Sequence, residues 1–191
     1  MGSIGSTGSK ESGRPKEGDY APYFRGYVEL VPEEDVLAVL EAQPAELRSA
    51  FDRVPRERET FAYAPGKWTL RQVAGHVVDG ERVFAYRSLC ASRADRNVLP
   101  GFDENAYVAN SRFDDVPLAD HAEEFALLRT ANVRMLRRLS PEQWRFAGVA
   151  NGVSNTVRGI AYVMAGHVRH HLRVMAERYG ANGARENAPR L

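Results

Sequence analysis

A single cysteine, Cys90, is all that this chain of 191 residues carries, so neither an internal disulfide nor a thiolate metal cluster can form. No apolar run approaches the roughly 20 residues that span a bilayer, and no secretory-type apolar segment stands near the N-terminus. Neither sign of charge dominates. The 26 Lys and Arg are balanced by 25 Asp and Glu, which argues against a dedicated nucleic-acid binder or a membrane-surface protein. Strand-type alternation, internal repeats, a glycine-rich phosphate loop and a hydrolase nucleophile elbow are also missing. The expectation is one reduced, cytoplasmic domain with no nucleic-acid or membrane partner.

What the chain does have is helical periodicity between well-marked turns. Residues 1–19 are Gly/Ser-rich and charged and are expected to form a disordered tail; residues 20–180 form the domain, and residues 181–191 a polar C-terminal tail. Tyr20, Tyr23, Phe24 and Tyr27 are expected to pack the lead-in against the body. The first helical pattern runs from Pro32 to Val54, with Leu37, Leu40, Leu47, Phe51 and Val54 inward and Pro44 dividing it into two pieces. Thr69 with Gln72 reads as a capping box opening a second helix that runs to Arg93. A connection from Asn97 to Asp115 is long enough to suggest a functional loop. The third helix spans Leu118 to Leu139, a single capped turn follows at Ser140–Trp144, and Gly148–Gly152 is a loop. Ser154 or Asn155 caps the last helix, which spans residues 155–179 and ends at Gly180. Four long helices make an all-α bundle.

Three of the five histidines lie in Gly166-His167-Val168-Arg169-His170-His171. The i, i+4 spacing puts His167 and His171 on one helical face, His171 near the apolar centre and His167 on its flank, while His170 points away. His76 falls on the flank of the second helix's apolar stripe. If these two helices are antiparallel neighbours, all three imidazoles meet at one level as an open, three-ligand metal site. The competing reading is that they are packed or hydrogen-bonded structural residues. His121, in the first turn of the third helix, fits a surface role. Glu81 sits inside an apolar stripe, where a carboxylate must be paired or carry a raised pKa. It is either an ion-pair partner, with Arg129 on the facing helix, or a catalytic base. Arg129, Arg134, Arg137 and Arg138 otherwise read as a solvated charge run. Cys90 projects away from His76, which argues against its acting as a nucleophile.

The segment Tyr63-Ala-Pro-Gly-Lys-Trp-Thr-Leu-Arg-Gln-Val-Ala-Gly-His-Val-Val-Asp-Gly-Glu-Arg-Val-Phe-Ala-Tyr-Arg87 resembles the region around the second helix of the DinB-like superfamily, in its YfiT-type branch. Leu99-Pro-Gly-Phe-Asp-Glu-Asn-Ala-Tyr107 and Ala165-Gly-His-Val-Arg-His-His-Leu-Arg-Val-Met-Ala-Glu-Arg-Tyr179 are similar to its other recurrent segments. The resemblance runs from Tyr23 to Tyr179. It implies a four-helix bundle with up-down-down-up connectivity, often dimeric, and a divalent ion, zinc or nickel foremost, held by His76, His167 and His171. Relatives of this kind include thiol S-transferases using bacillithiol or glutathione, a mycothiol-dependent maleylpyruvate isomerase and proteins assigned as metal-dependent hydrolases. The implied activity is hydrolysis or S-transfer on a small-molecule substrate, with water or a low-molecular-weight thiol as nucleophile. Glu81 and Asp103 are the candidate catalytic residues, and Glu104 and Asn105 share the loop of Asp103. The alternative is a metal-binding bundle without catalysis, serving as a sensor or a structural dimer.

Overall fold

Side-chain caps fix where the helices of this chain begin. The structure, a computed structural model, describes residues 13–180. Thr69 and Gln72 form the expected reciprocal capping box and open α3, Leu70–Ser92. Asp35 accepts from the Ala38 amide to start α2, Val36–Phe51, and Thr156 accepts from Gly159 to start α6, Val157–Arg178. The cap of the last helix is therefore Thr156, where Ser154 or Asn155 was expected. The remaining helices are α1, Arg25–Glu29, α4, Glu104–Ala109, and α5, Leu118–Leu136. The α2 start is four residues later than Pro32 because carbonyls ahead of it are already taken. Tyr162 donates to the Glu33 and Glu34 carbonyls, and Arg169 to that of Leu30.

Residues in contact give the direction of each helix. His76 and Gly80 of α3 meet His167 of α6 while Ser88 meets Met164, so these two run antiparallel. Thr69 and Gln72 at the start of α3 meet Asp114 just ahead of α5, while Glu81 further along meets Arg129 and Asn132, so α3 and α5 run parallel. With α2 antiparallel to α5 and parallel to α6, the connectivity is up-down-down-up. The bundle has two apolar clusters, one around Leu40, Leu136 and Met164, the other around Leu47, Phe125 and Val168. Between them lies a polar layer contributed by all four long helices. Arg129 makes a two-pronged pair with Glu81, at 2.9 and 2.8 Å, and also donates to Gln43. Gln43 donates in turn to the Ala165 carbonyl at 2.7 Å, and Asn132 donates to Glu81.

Pro44 does not divide α2. A proline in a helix interior leaves the carbonyl four residues earlier without its donor. Here that carbonyl belongs to Leu40, and it accepts a long hydrogen bond, 3.4 Å, from the Arg129 guanidinium; α2 is one unbroken helix in place of the two pieces expected. Arg129 itself is buried and is no part of a solvated charge run; Arg134, Arg137 and Arg138 are exposed.

Three further expectations are corrected. Ala147–Ala150 and Val153–Thr156 form an antiparallel hairpin, β1 and β2, in place of a loop. Its turn is Asn151-Gly152 with φ of 51° and 74°, the positive-φ pair of a two-residue hairpin, for which Asn-Gly is the favoured sequence. The expected tail at residues 1–19 ends before Asp19, whose carboxylate pairs with Arg158 and whose carbonyl accepts from Thr156. Residues 1–12 and the tail at 181–191 lie outside the described residues.

His121, assigned to the surface, is 2% exposed and packs edge-on against Phe113, with ring centroids 5.6 Å apart. Burial lowers its pKa from the usual value. The folded chain keeps this imidazole neutral, while the unfolded chain protonates it at about pH 6.5. Its contribution to stability is thus fully present above that pH and is lost as pH falls through the window below it. The variant His121→Leu is expected to show a smaller fall in Tm between about pH 7.5 and about pH 5 than wild type, by thermal melts in matched buffers.

Candidate metal centre

The helices α3 and α6 bring His76, His167 and His171 together, as spacing and antiparallel packing require. His167 Nε2 lies 3.1 Å from His76 Nε2 and 3.1 Å from His171 Nε2. Exposure is 8%, 4% and 9% for His76, His167 and His171. Gly80 makes room for the central ring, since a Cβ there would stand 2.7 Å from His167 Cε1. Gly166 lets α1 approach α6, since a Cβ would stand 2.0 Å from the Tyr27 carbonyl oxygen. That approach sets the Tyr27 ring edge-on against His167, 5.6 Å away, while Trp68 covers His76 at 4.9 Å.

The donor set fits one divalent ion. Neutral imidazole offers one N–H and one lone pair on different nitrogens, so a single Nε2 cannot make good hydrogen bonds to two other Nε2 atoms. A cation between the three removes the conflict. Two nitrogens each about 2.05 Å from one ion lie roughly 3.3 Å apart at a tetrahedral angle and roughly 2.9 Å apart at a right angle, and the observed 3.1 Å falls between these values. Burial lowers the pKa of His76 to about 4 against an upward pull from Glu104, and burial together with the neighbouring imidazoles holds His167 and His171 well below the ordinary value. At neutral pH all three are uncharged, as metal ligation needs. No fourth histidine, cysteine or carboxylate joins them among the described residues.

A cavity of about 420 Å³ opens beside the trio. Its walls are aromatic, from Tyr23, Phe24, Tyr27, Trp68, Phe84 and Phe102, and its polar groups besides the histidines are Arg87, Glu104 and Asn151. The long connection after α3 supplies part of this wall. Leu99 is bridged to the hairpin, donating to Val149 and accepting from Asn151, which brings the hairpin turn and α4 to the rim.

Glu81 is tied up in this arrangement, and Asp103 caps a helix through one of its oxygens. Glu81 is 2% exposed and spends both oxygens on Arg129 and Asn132, the ion-pair alternative of the sequence reading. Asp103 accepts from the Asn105 and Ala106 amides as the cap of α4. Its neighbour Glu104 reaches the cavity, and its charge acts on both His76 and Tyr27. His170 rests on Tyr27 beside the trio. Arg87 and Asn151 escaped the sequence reading; for Asn151 the Asn-Gly pair was the available signal.

Residues 39–175 match the DinB superfamily. Over 131 residues, 67% of this chain and 71% of the relative, the sequence is 28% identical to YfiT of Bacillus subtilis (strain 168), a protein named for an inferred metal-dependent hydrolase activity. The solved structure of that Bacillus subtilis protein, noted for an unusual four-helix bundle topology, superposes with a TM-score of 0.67 at 19% identity, covering 88% of this chain and 95% of the other. A mycothiol-dependent maleylpyruvate isomerase superposes with a TM-score of 0.63 at 13% identity; 82% of this chain is covered but only 64% of that one. At these identities the two structures establish the shared fold.

Proposed function

This chain belongs to the DinB superfamily, and on that premise we propose that it is a divalent-metal-dependent enzyme acting on a small molecule by hydrolysis or thiol S-transfer. His76, His167 and His171 hold the ion; three imidazoles suit zinc, nickel, copper and iron alike, and the family resemblance puts zinc and nickel first. The observation that carries the reading is the convergence of three buried, uncharged Nε2 atoms on one point at the wall of an aromatic cavity. A bound divalent ion would supply Lewis acidity, making water or a low-molecular-weight thiol nucleophilic near neutral pH.

The chain's own groups supply the rest. Trp68 and Tyr27 shield the ligands from bulk water. Glu104, exposed at the rim, is placed to accept the proton that the nucleophile gives up. The small-molecule substrate and a homodimeric state belong to the same proposal, the latter checked by light scattering of the purified chain.

Two variants test these roles. Glu104→Gln is expected to lower kcat by roughly 100-fold while leaving metal content unchanged, since general base catalysis contributes about that much or more. Gly80→Ala places a methyl group against His167 and should weaken metal binding by about 10-fold or more with helical circular dichroism intact, as disturbed ligand orientation does. The reaction class is read by giving the metal-loaded protein free thiol and monochlorobimane, beside a panel of esters and amides. Thiol consumption assigns S-transfer, and ester or amide cleavage assigns hydrolysis. Failure of both over a broad panel would favour the non-catalytic bundle.

A further inference from the structure

Arg87 is at odds with most of the other partly buried arginines, though Arg14 likewise donates to a backbone carbonyl, that of Val31. Arg71, Arg129, Arg158 and Arg169 each face a carboxylate, those of Glu59, Glu81, Asp19 and Glu33. Arg87 faces none among the described residues. Its one hydrogen bond is a long one, 3.3 Å, to the Pro100 carbonyl, and its guanidinium sits between the rings of Phe84 and Phe102, 5.9 and 5.8 Å from their centroids. Burial lowers the pKa of this guanidinium, offset in part by the Tyr23 phenol and by no carboxylate. Withdrawing a charge from water unpaired is costly, and a guanidinium framed by two aromatic rings keeps its planar edge of donors for a ligand.

The location gives that ligand an identity. Arg87 lines the same cavity as the three histidines, with the Phe84 ring between, 5.6 Å from the His167 ring. The one acid lining the cavity is Glu104, whose charge acts on His76 and Tyr27. The cavity wall thus carries a cation at Arg87, across the Phe84 ring from the histidines.

We propose that Arg87 anchors an anionic oxygen group, a carboxylate or a phosphate, on the small molecule that occupies the three-histidine cavity. The inference rests on that cavity being a substrate site. The substrate class is then an organic anion with an apolar middle: the anion lies against the guanidinium, the middle against Phe84 and Phe102, and the reacting end at the histidines. In this role Arg87 sets specificity and orientation and takes no part in bond making.

The test uses the full chain stripped of metal with EDTA, so that no probe can gain affinity by ligating an ion. The probes are 4-phenylbutyrate, 4-phenylbutyl phosphate and the neutral 4-phenylbutyramide, titrated by calorimetry with saturation-transfer NMR alongside. Wild type is expected to bind at least one of the anions saturably and the amide much more weakly, and the ratio of the two anions distinguishes carboxylate from phosphate. Arg87→Gln should weaken the preferred anion by roughly 10- to 100-fold, the worth of a charge-assisted hydrogen bond, and Arg87→Lys should recover part of the loss. Equal binding of amide and anions, equal binding by Arg87→Gln, or no saturable anion binding would overturn the proposal. Anion binding that depends on Arg87 in a protein unable to take up metal would overturn the metal reading alone.

Discussion

Replacing His167 by alanine is expected to remove metal binding at the three-histidine site almost entirely. His167 is the central imidazole, 3.1 Å from both of its neighbours, and the most buried of the three. The other two sit on different helices with ring centroids 4.9 Å apart, so without His167 only a two-nitrogen site remains. Loss of a ligand exceeds the roughly 10- to 100-fold cost of losing an outer partner, and affinity should fall by more than about 100-fold. The effect is readable as stability. A ligand at 100 times its Kd stabilises the native state by about 2.7 kcal/mol, which for a chain of this size raises Tm by roughly 5–10 °C. Wild type should show that shift with zinc or nickel; His167→Ala should show none at the same concentration. His121→Leu, whose site lies away from the trio, should keep the full shift.

The second large effect lies in the polar layer. Arg129→Met leaves the Glu81 carboxylate buried without a counter-charge and the Leu40 carbonyl without a donor. Breaking one side of a buried pair costs about 3–5 kcal/mol, so Tm should fall by roughly 6–20 °C. Adding Glu81→Leu to Arg129→Met removes the stranded charge, and most of the lost stability should return. A remainder of about 1–3 kcal/mol is expected, because Gln43 Oε1 still lacks its donor. Chemical denaturation of the two single variants and the double variant reads the coupling directly. Failure of the double variant to recover would show that Glu81 has a role beyond pairing with Arg129.

The convergence of His76, His167 and His171 was legible in the sequence because it follows from helical periodicity. An i, i+4 pair on one helix and a flank position on another meet whenever the two helices pack antiparallel, and α3 and α6 do. The Thr69–Gln72 capping box was legible for the same reason, being a local pattern with a local partner. What escaped depends on contacts far along the chain. Pro44 sits in a continuous helix, and Arg129, 85 positions further on, donates to the Leu40 carbonyl. The start of α2 moves because Tyr162 and Arg169 of α6 claim the carbonyls before it. His121 is buried under Phe113, and helical spacing alone does not reveal what covers a first turn. The β1–β2 hairpin is the instructive miss. Its four-residue strands, Ala-Gly-Val-Ala and Val-Ser-Asn-Thr, carry too little alternation to register, but the Asn-Gly between them is a hairpin signal in its own right. Reading it would have placed Asn151 on a turn, though its arrival at the cavity depends on the bridge to Leu99.

The central claim is that His76, His167 and His171 form a metal site. The most direct test is elemental analysis of the chain purified without a polyhistidine tag, beside the His167→Ala/His171→Ala double variant. The account predicts about one divalent ion per wild-type chain and none in the variant, with helical circular dichroism retained in both. Wild-type protein that is metal-free and fails to take up added zinc or nickel would contradict it.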